Sequence, residues 1–228
     1  STMIKSSISA LAFDLDGTLY PNYRFYIKLI PFLIRHNRLL YAMGKARNHM
    51  RDRGHGHSFF DEQARIMGEI LGEDADSVHA RTEALIYRGW EPLFAGVKLF
   101  AGAENCLTTL RNAGYRLALL SDFPPEAKLK FLKLDSYFDV VLGSETCGRL
   151  KPDPLPFNCL AEKLKLSPEQ ILYVGNSVAY DVVGAKNAGM KTAIICSPLK
   201  KLFSRKIRHS GADFIFTKYR QLQKFMVN

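Results

Sequence analysis

Two aspartates one residue apart, Asp14 and Asp16 in FDLDGT, stand directly behind the apolar stretch ISALAF. Other chemistry-bearing residues recur in the same kind of place. Ser121 and Asp122 close RLALLSD, and Lys151 lies in GRLKPDP just after DVVLGSE. Gly175 and Asn176 end ILYVGNS, with Asp181 five residues beyond Asn176. Carboxylates brought together repel and raise each other's pKa values. A hard divalent cation relieves this, and Mg²⁺ accepts one or two carboxylates together with substrate phosphate and water. Lys151 and the Ser121 hydroxyl offer a charge and a donor to a phosphoryl oxygen. One carboxylate can then attack phosphorus while another, two residues on, protonates the leaving oxygen. These residue types point to phosphoryl transfer through an acyl phosphate. The competing explanation is turn chemistry, since Asp, Gly and Thr often end strands. It accounts for DLDGT alone but not for the ordered set.

For these residues to meet, the chain must deliver them to one edge of a sheet. Residues 8–13, 116–122, 139–145, 171–177, 191–197 and 212–217 are short apolar runs that read as buried strands. Helical segments separate them. Residues 102–113 form one, closed by Gly114. Another opens at Ser167-Pro168 with Gln170 at N3, a capping box. This alternation predicts an α/β fold, a Rossmann-like parallel sheet covered on both faces, whose functional groups gather at the carboxyl ends of the strands. A long helical region from about residue 24 to 91 interrupts it early, with Phe59, Phe60, Ile66, Met67, Ile70 and Leu71 at helical spacing behind Ser58 as N-cap. Pro31 is expected to break FYIKLIPFLI into two pieces. That stretch has the amphipathic character of an interfacial helix, but a helix packed inside a helical lobe is the commoner outcome. The expected division is a core of residues 3–21 and 96–228 with an α-helical cap domain, 22–95, inserted after the first strand.

Composition excludes several classes. The chain has 228 residues, 47% hydrophobic and 24% charged, the balance of a globular protein rather than a disordered or fibrous one. No run of about 18 apolar residues is present, so no bilayer span is expected. The first residues show no apolar signal region followed by a small-residue cleavage site, so secretion is not expected. Cys106, Cys147, Cys159 and Cys196 show neither paired nor zinc-like spacing and read as small buried hydrophobes in a reducing, cytoplasmic setting. His49, His55 and His57, in HMRDRGHGH, read as part of a solvated loop. The formal charge of +10 favours anionic partners. Its two concentrations, Arg24 to Arg53 and residues 200–209, hold no nucleic-acid module and read as solvated faces, so neither a nucleic acid nor a membrane is the expected partner.

With FDLDGTLY (13–20), LLSD (119–122), KPDP (151–154) and VGNSVAYDVVGAKNAGM (174–190) in this order, the chain resembles the haloacid dehalogenase superfamily, on its phosphatase side. The resemblance extends over nearly everything except the helical insertion, which sits where that family carries a type 1 cap. It implies Asp14 as a nucleophile forming an aspartyl-phosphate and Asp16 as general acid and then base. It implies Mg²⁺ held by the Asp14 carboxylate and the Asp16 main-chain carbonyl, with Asn176 and Asp181 in the remaining metal-binding motif. Ser121 and Lys151 would hold the phosphoryl group, Asp122 would orient neighbouring backbone or the phosphate loop, and Gly17 and Thr18 would shape the turn. One departure stands out. The motif usually reads GDxxxxD, and here it reads GNSVAYD, so a neutral amide replaces an acidic ligand and metal affinity should fall.

The resemblance implies a Mg²⁺-dependent phosphomonoesterase for a small phosphorylated metabolite. Phosphoglycolate, sugar phosphates and pyrimidine nucleotides are all substrates of similar enzymes. Specificity would come from the cap, where Tyr20, Tyr23, Phe25, Tyr26 and Trp90 stand near hinges or walls. Two alternatives are a 2-haloacid dehalogenase, which resembles this core but does without an acid at position 16 and without Mg²⁺, and a weakly active or inactive anion-binding protein, favoured only by Asn176.

Overall fold

The computed structural model describes residues 7–53 and 58–227. Six strands, β1 (Ala10–Phe13), β2 (Arg116–Ser121), β3 (Val140–Gly143), β4 (Ile171–Gly175), β5 (Lys191–Ile195) and β6 (Phe214–Phe216), make one parallel sheet in the order β3-β2-β1-β4-β5-β6. Each falls inside one of the apolar runs. The strand order reverses around β1, which is where such sheets open a crevice at their carboxyl ends. Register brings the site to that point: Phe13 is level with Leu119 of β2 and Val174 of β4, so Asp14 leaves the sheet beside the ends of both neighbours.

Alternate strand residues feed opposite faces. Leu11, Phe13, Leu117, Leu119, Leu172 and Val174 pack on one side with α5 (Ala103–Asn112) and α11 (Tyr219–Val227). Ala10, Ala12, Ala118, Leu120 and Tyr173 pack on the other with α7 (Pro154–Leu164) and α8 (Val183–Asn187). α7 starts on Asp153, whose carboxylate accepts from Leu155 N–H at 2.9 Å, with Pro154 in the first turn. Gly184 is required where α8 crosses α7, since a Cβ there would come within 2.4 Å of the Phe157 ring. Three short helices complete this part: α6 (Glu126–Phe131), α9 (Pro198–Phe203) and α10 (Arg205–Arg208). All four cysteines are free thiols, and burial pushes the Cys106 thiol up to about 12.

Between β1 and β2 lie α1 (Asn22–Arg35), α2 (Asn37–Arg53), α3 (Phe59–Leu71) and α4 (Ala75–Thr82), followed by a π turn at Glu83–Arg88 and a 3-10 turn at Glu91–Phe94. Ser58 caps α3, its hydroxyl accepting from Asp61 N–H at 3.3 Å. Met43, Met50, Phe59, Met67, Val78 and Ile86 form a cluster of their own. Phe25 and Leu29 of α1 instead join the sheet-side cluster, Phe25 stacking on Phe94 with ring centroids 4.4 Å apart.

Several expectations are corrected. Pro31 does not break α1, which continues to Arg35. It sits on the exposed side of the helix, where water can take the carbonyl whose bond is lost. α1 is also not enclosed in a lobe, since only Phe25 and Leu29 are buried. His49 to Arg53 belong to α2 rather than to a loop, while His55 and His57 lie outside the described residues. The capping box at Ser167 and Gln170 is present but opens only a three-residue 3-10 turn, Pro168–Gln170, because β4 begins at once. The basic run of α2 is not wholly a solvated face, for Arg47 is buried and ion-paired with Glu145 of the turn following β3. Tyr87 donates to Glu145 at 2.8 Å, and Arg47 Nη2 donates to the Asp122 carbonyl at 2.8 Å.

This buried pair joins the helical insert to the sheet. Truncation of one member strands the other charge, at a cost of about 3–5 kcal/mol. Arg47→Ala is therefore expected to lose stability by that amount in urea unfolding, and a loss below about 1 kcal/mol would mean that water reaches Glu145.

Candidate active site

Asp14 is fixed first by its backbone, whose N–H donates to Val174 O at 2.9 Å and ties the residue to β4. The chain then turns sharply. Gly17 takes a left-handed conformation with φ +83°, Thr18 and Leu19 N–H return to Leu15 O, and Tyr219 OH clamps the Thr18 carbonyl at 2.7 Å. In this turn the Thr18 hydroxyl donates to Asp14 Oδ2 at 2.9 Å. The other Asp14 oxygen receives Lys151 Nζ at 2.8 Å.

Lys151 is the hub. Its side chain is only 4% exposed, and its ammonium also donates to Asp181 Oδ1 at 2.7 Å and to Tyr173 OH at 3.2 Å. Tyr173 OH in turn donates to Leu120 O at 3.1 Å. Asp181 Oδ2 accepts the N–H groups of Asn176 and Ser177 at 3.0 and 2.9 Å, so both oxygens of Asp181 are engaged. Burial would favour neutral Lys151, but Asp14 and Asp181 outweigh it and hold the ammonium well above its usual pKa. Asp14 goes the other way. Burial raises it, Lys151 pulls it down, and the carboxylates of Asp181 and Asp16 push it up again, to about 7.

Asp16 stands at the mouth. Lys128 of α6 donates to its two oxygens at 3.3 and 3.1 Å, Tyr20 OH donates to Oδ1, and Ser121 Oγ lies 3.4 Å from Oδ2. Lys128 Nζ is also 5.1 and 5.0 Å from the ring centroids of Phe94 and Phe123, in cation–π range. Asp122 accepts Lys151 N–H at 3.1 Å and Arg51 of α2 at 2.7 Å, while Arg51 Nε reaches the Lys151 carbonyl at 3.0 Å. Asp14, Asp122, Lys151 and Asp181 thus share one bonded network and Asp16 and Ser121 another, the two joined through the chain at Asp14–Asp16 and Ser121–Asp122. Asn176 enters the first of these through its backbone, and its side chain lies against Gly17, where a Cβ would meet Nδ2 at 2.1 Å.

Lys128, Tyr173, Arg47 and Arg51 were not singled out by sequence. Tyr173 carries a signal, as the one polar group inside ILYVG; Lys128, among several lysines in EAKLKFLK, carries none.

An oxygen-only set suits a hard cation. Among the described residues no three Asp, Glu, His or Cys side chains form a ready cage. Mg²⁺ does not require one, as it usually keeps several waters. The Asp14 carboxylate, the Asp16 carbonyl beside Gly17 and the Asn176 amide supply two neutral oxygens and one charged group. Burial and the neighbouring carboxylates together lift Asp14, and a bound cation would oppose both by favouring the charged form.

A doubly wound parallel sheet with this cluster at its switch point is the architecture of an α/β hydrolase core, and comparison with known proteins is specific. The chain belongs to the haloacid dehalogenase-like hydrolases, whose family model matches residues 8–189. It is 30% identical to phosphoglycolate phosphatase of Psychrobacter arcticus over 80% of each chain. It is 29% identical to pyrophosphatase PpaX of Halalkalibacterium halodurans, over 82% of this chain and 83% of the relative. In fold it is similar to the HAD-hydrolase YfnB of Bacillus subtilis bound to magnesium, with TM-score 0.68 and 17% identity over 96% of this chain and 98% of that one.

Asp122 yields a pH prediction. Burial opposes its ionisation, but Lys151, Arg47 and Arg51 outweigh that and hold its carboxyl below the usual range. The unfolded carboxyl titrates near ~3.9, so the stabilisation is present above that value and is lost as pH falls through the folded value. Asp122→Asn is expected to unfold at lower temperature than the wild type at pH ~7, with the gap closing below pH ~4. Thermal unfolding across this range checks it; a constant gap would remove Asp122 ionisation as the cause.

Proposed function

We propose that this hydrolase is a Mg²⁺-dependent phosphomonoesterase acting on a small phosphorylated metabolite. The observation that carries the reading is the division of labour between Asp14, buried and held by Lys151 and Thr18, and Asp16, two residues on at the mouth beside Ser121. An Asp14 oxygen attacks phosphorus as the bond to the leaving oxygen breaks, and Asp16 gives that oxygen its proton. Asp16 then takes a proton from water as the water attacks the acyl phosphate, which frees inorganic phosphate and restores Asp14. Lys151 and Ser121 hold phosphoryl oxygens, and Asp122 keeps the Lys151 backbone in place. Mg²⁺, held by the Asp14 carboxylate, the Asp16 carbonyl and the Asn176 amide, would offset phosphoryl charge. Asp181, with both oxygens engaged, serves as the anchor of Lys151.

The helical insert acts in this reading as the cap. Arg47 and Arg51 hold it against the sheet, and Asp14 is only 6% exposed, so water is largely excluded from the nucleophile. The relatives named phosphoglycolate phosphatase and pyrophosphatase support a small phosphate compound as substrate. An acid at position 16 favours phosphate over halide as the leaving chemistry, because departing halide needs no proton.

Hydrolysis of an aryl phosphate tests this. Turnover should require Mg²⁺, stop with chelator, and fall by at least about a thousandfold in Asp14→Asn. Asn176→Asp, which restores a charged ligand, should lower the Mg²⁺ needed for half-maximal rate by about tenfold. Chelator-resistant turnover, or chloride release from a 2-haloacid without metal, would overturn the assignment.

A further inference from the structure

The outer side of α1 is the most apolar exposed surface of the described residues. Tyr23, Tyr26, Ile27, Ile30, Leu33 and Ile34 are all exposed on this single helix, Ile34 at 76%. A second apolar patch stands on α9, where Leu199, Leu202 and Phe203 are 71%, 63% and 71% exposed and no residue is buried. The start of α1 and α9 flank one groove of about 500 Å³, lined by Asn22, Tyr23, Pro198 and Lys200 together with Gly17 and Asn176 of the candidate site, so the two patches stand on either side of its opening. Apolar patches of this kind on a protein surface mark a contact with something.

Charge identifies what. Between Asp16 and Asp52 there is no Asp or Glu but seven Lys and Arg; between Asp181 and Asp213 there is again none, against seven. The cations lie among the apolar side chains: Lys28 and Arg35 on α1, Lys200 and Lys201 on α9, Arg205 and Lys206 on α10, all exposed. Aliphatic tips beside long cationic side chains, with no acid between them, match the boundary between lipid headgroups and acyl chains. There, Ile, Leu and Phe enter the apolar layer while Lys and Arg reach anionic headgroups. The same residues suit other partners poorly. Tyr23, Tyr26 and Phe203 could stack on bases, but the Ile and Leu that make up the rest of both patches neither read base edges nor stack, and pairing this face with a second copy would oppose two positive surfaces. From these observations we infer that α1, α9 and α10 form a peripheral docking surface for an anionic membrane.

Flotation with vesicles of phosphatidylcholine containing about one quarter phosphatidylserine, against pure phosphatidylcholine, tests the inference. The protein should float with the anionic vesicles, less so in about 1 M salt than in about 0.1 M, and not with the neutral ones. Ile27→Asp with Ile34→Asp, and separately Leu202→Asp with Phe203→Asp, should each weaken binding by at least about tenfold while circular dichroism and aryl phosphatase activity are unchanged. Ile34→Gln with Phe203→Gln serves as a milder pair should either of these fail to fold. No binding to anionic vesicles overturns the inference. Undiminished binding by the apolar variants also overturns it, since charge alone would then suffice and a nucleic acid would serve as well. A wild-type dimer made monomeric by these substitutions would assign the face to a second copy instead.

Discussion

A buried ammonium group organises this molecule. Lys151 cannot remain charged out of water without compensation, which otherwise costs several kcal/mol. It finds that compensation in Asp14 after β1 and Asp181 after β4, with Tyr173 from within β4. Three elements distant in sequence are therefore tied at one point, and the tie holds only if β1 and β4 are neighbours. The reversal of strand order at β1 is in this sense electrostatic as well as topological. Burial is the main reason that the Asp14 carboxyl is raised although a lysine touches it, and the nearby carboxylates of Asp181 and Asp16 add to the rise.

The sheet was legible in the sequence because a strand buried on both faces must be almost wholly apolar, and six such runs stand out against helical spacing. The residues of the cluster were legible because each stands at the end of one of those runs or in the loop that follows it. What escaped was the identity of groups whose role depends on tertiary approach. Lys128 is one lysine among several on a short helix, and only the placement of α6 against Asp16 and the Phe94 and Phe123 rings distinguishes it. Arg47 sits in a basic stretch that reads as solvated until Glu145, nearly a hundred residues away, is brought beneath it. Pro31 misled for a related reason, since the cost of a missing helical bond depends on whether water can replace it, and that depends on which side of α1 faces out.

The insert meets the sheet through polar groups at its centre and aromatic groups around them. Arg47 lies 4.1 Å from the Phe123 ring centroid, and Tyr87 both faces that ring and donates to Glu145. Arg51 adds a second bridge to Asp122, the residue that also orients the Lys151 backbone. The position of the helical part and the geometry of the buried cluster are therefore coupled through two adjacent atoms of one carboxylate. Any motion that lifts α2 alters the surroundings of Lys151, through Asp122 and through the Arg51 bond to the Lys151 carbonyl, without contacting its ammonium.

The sheet ends at β3 and β6, strands of four and three residues. Edges that short offer few free backbone groups on which another extended chain could template itself, a common protection against fibrous association. With its main chain so closed to strangers, this protein is left to meet other molecules through side chains alone, and its surface chemistry decides the company it keeps.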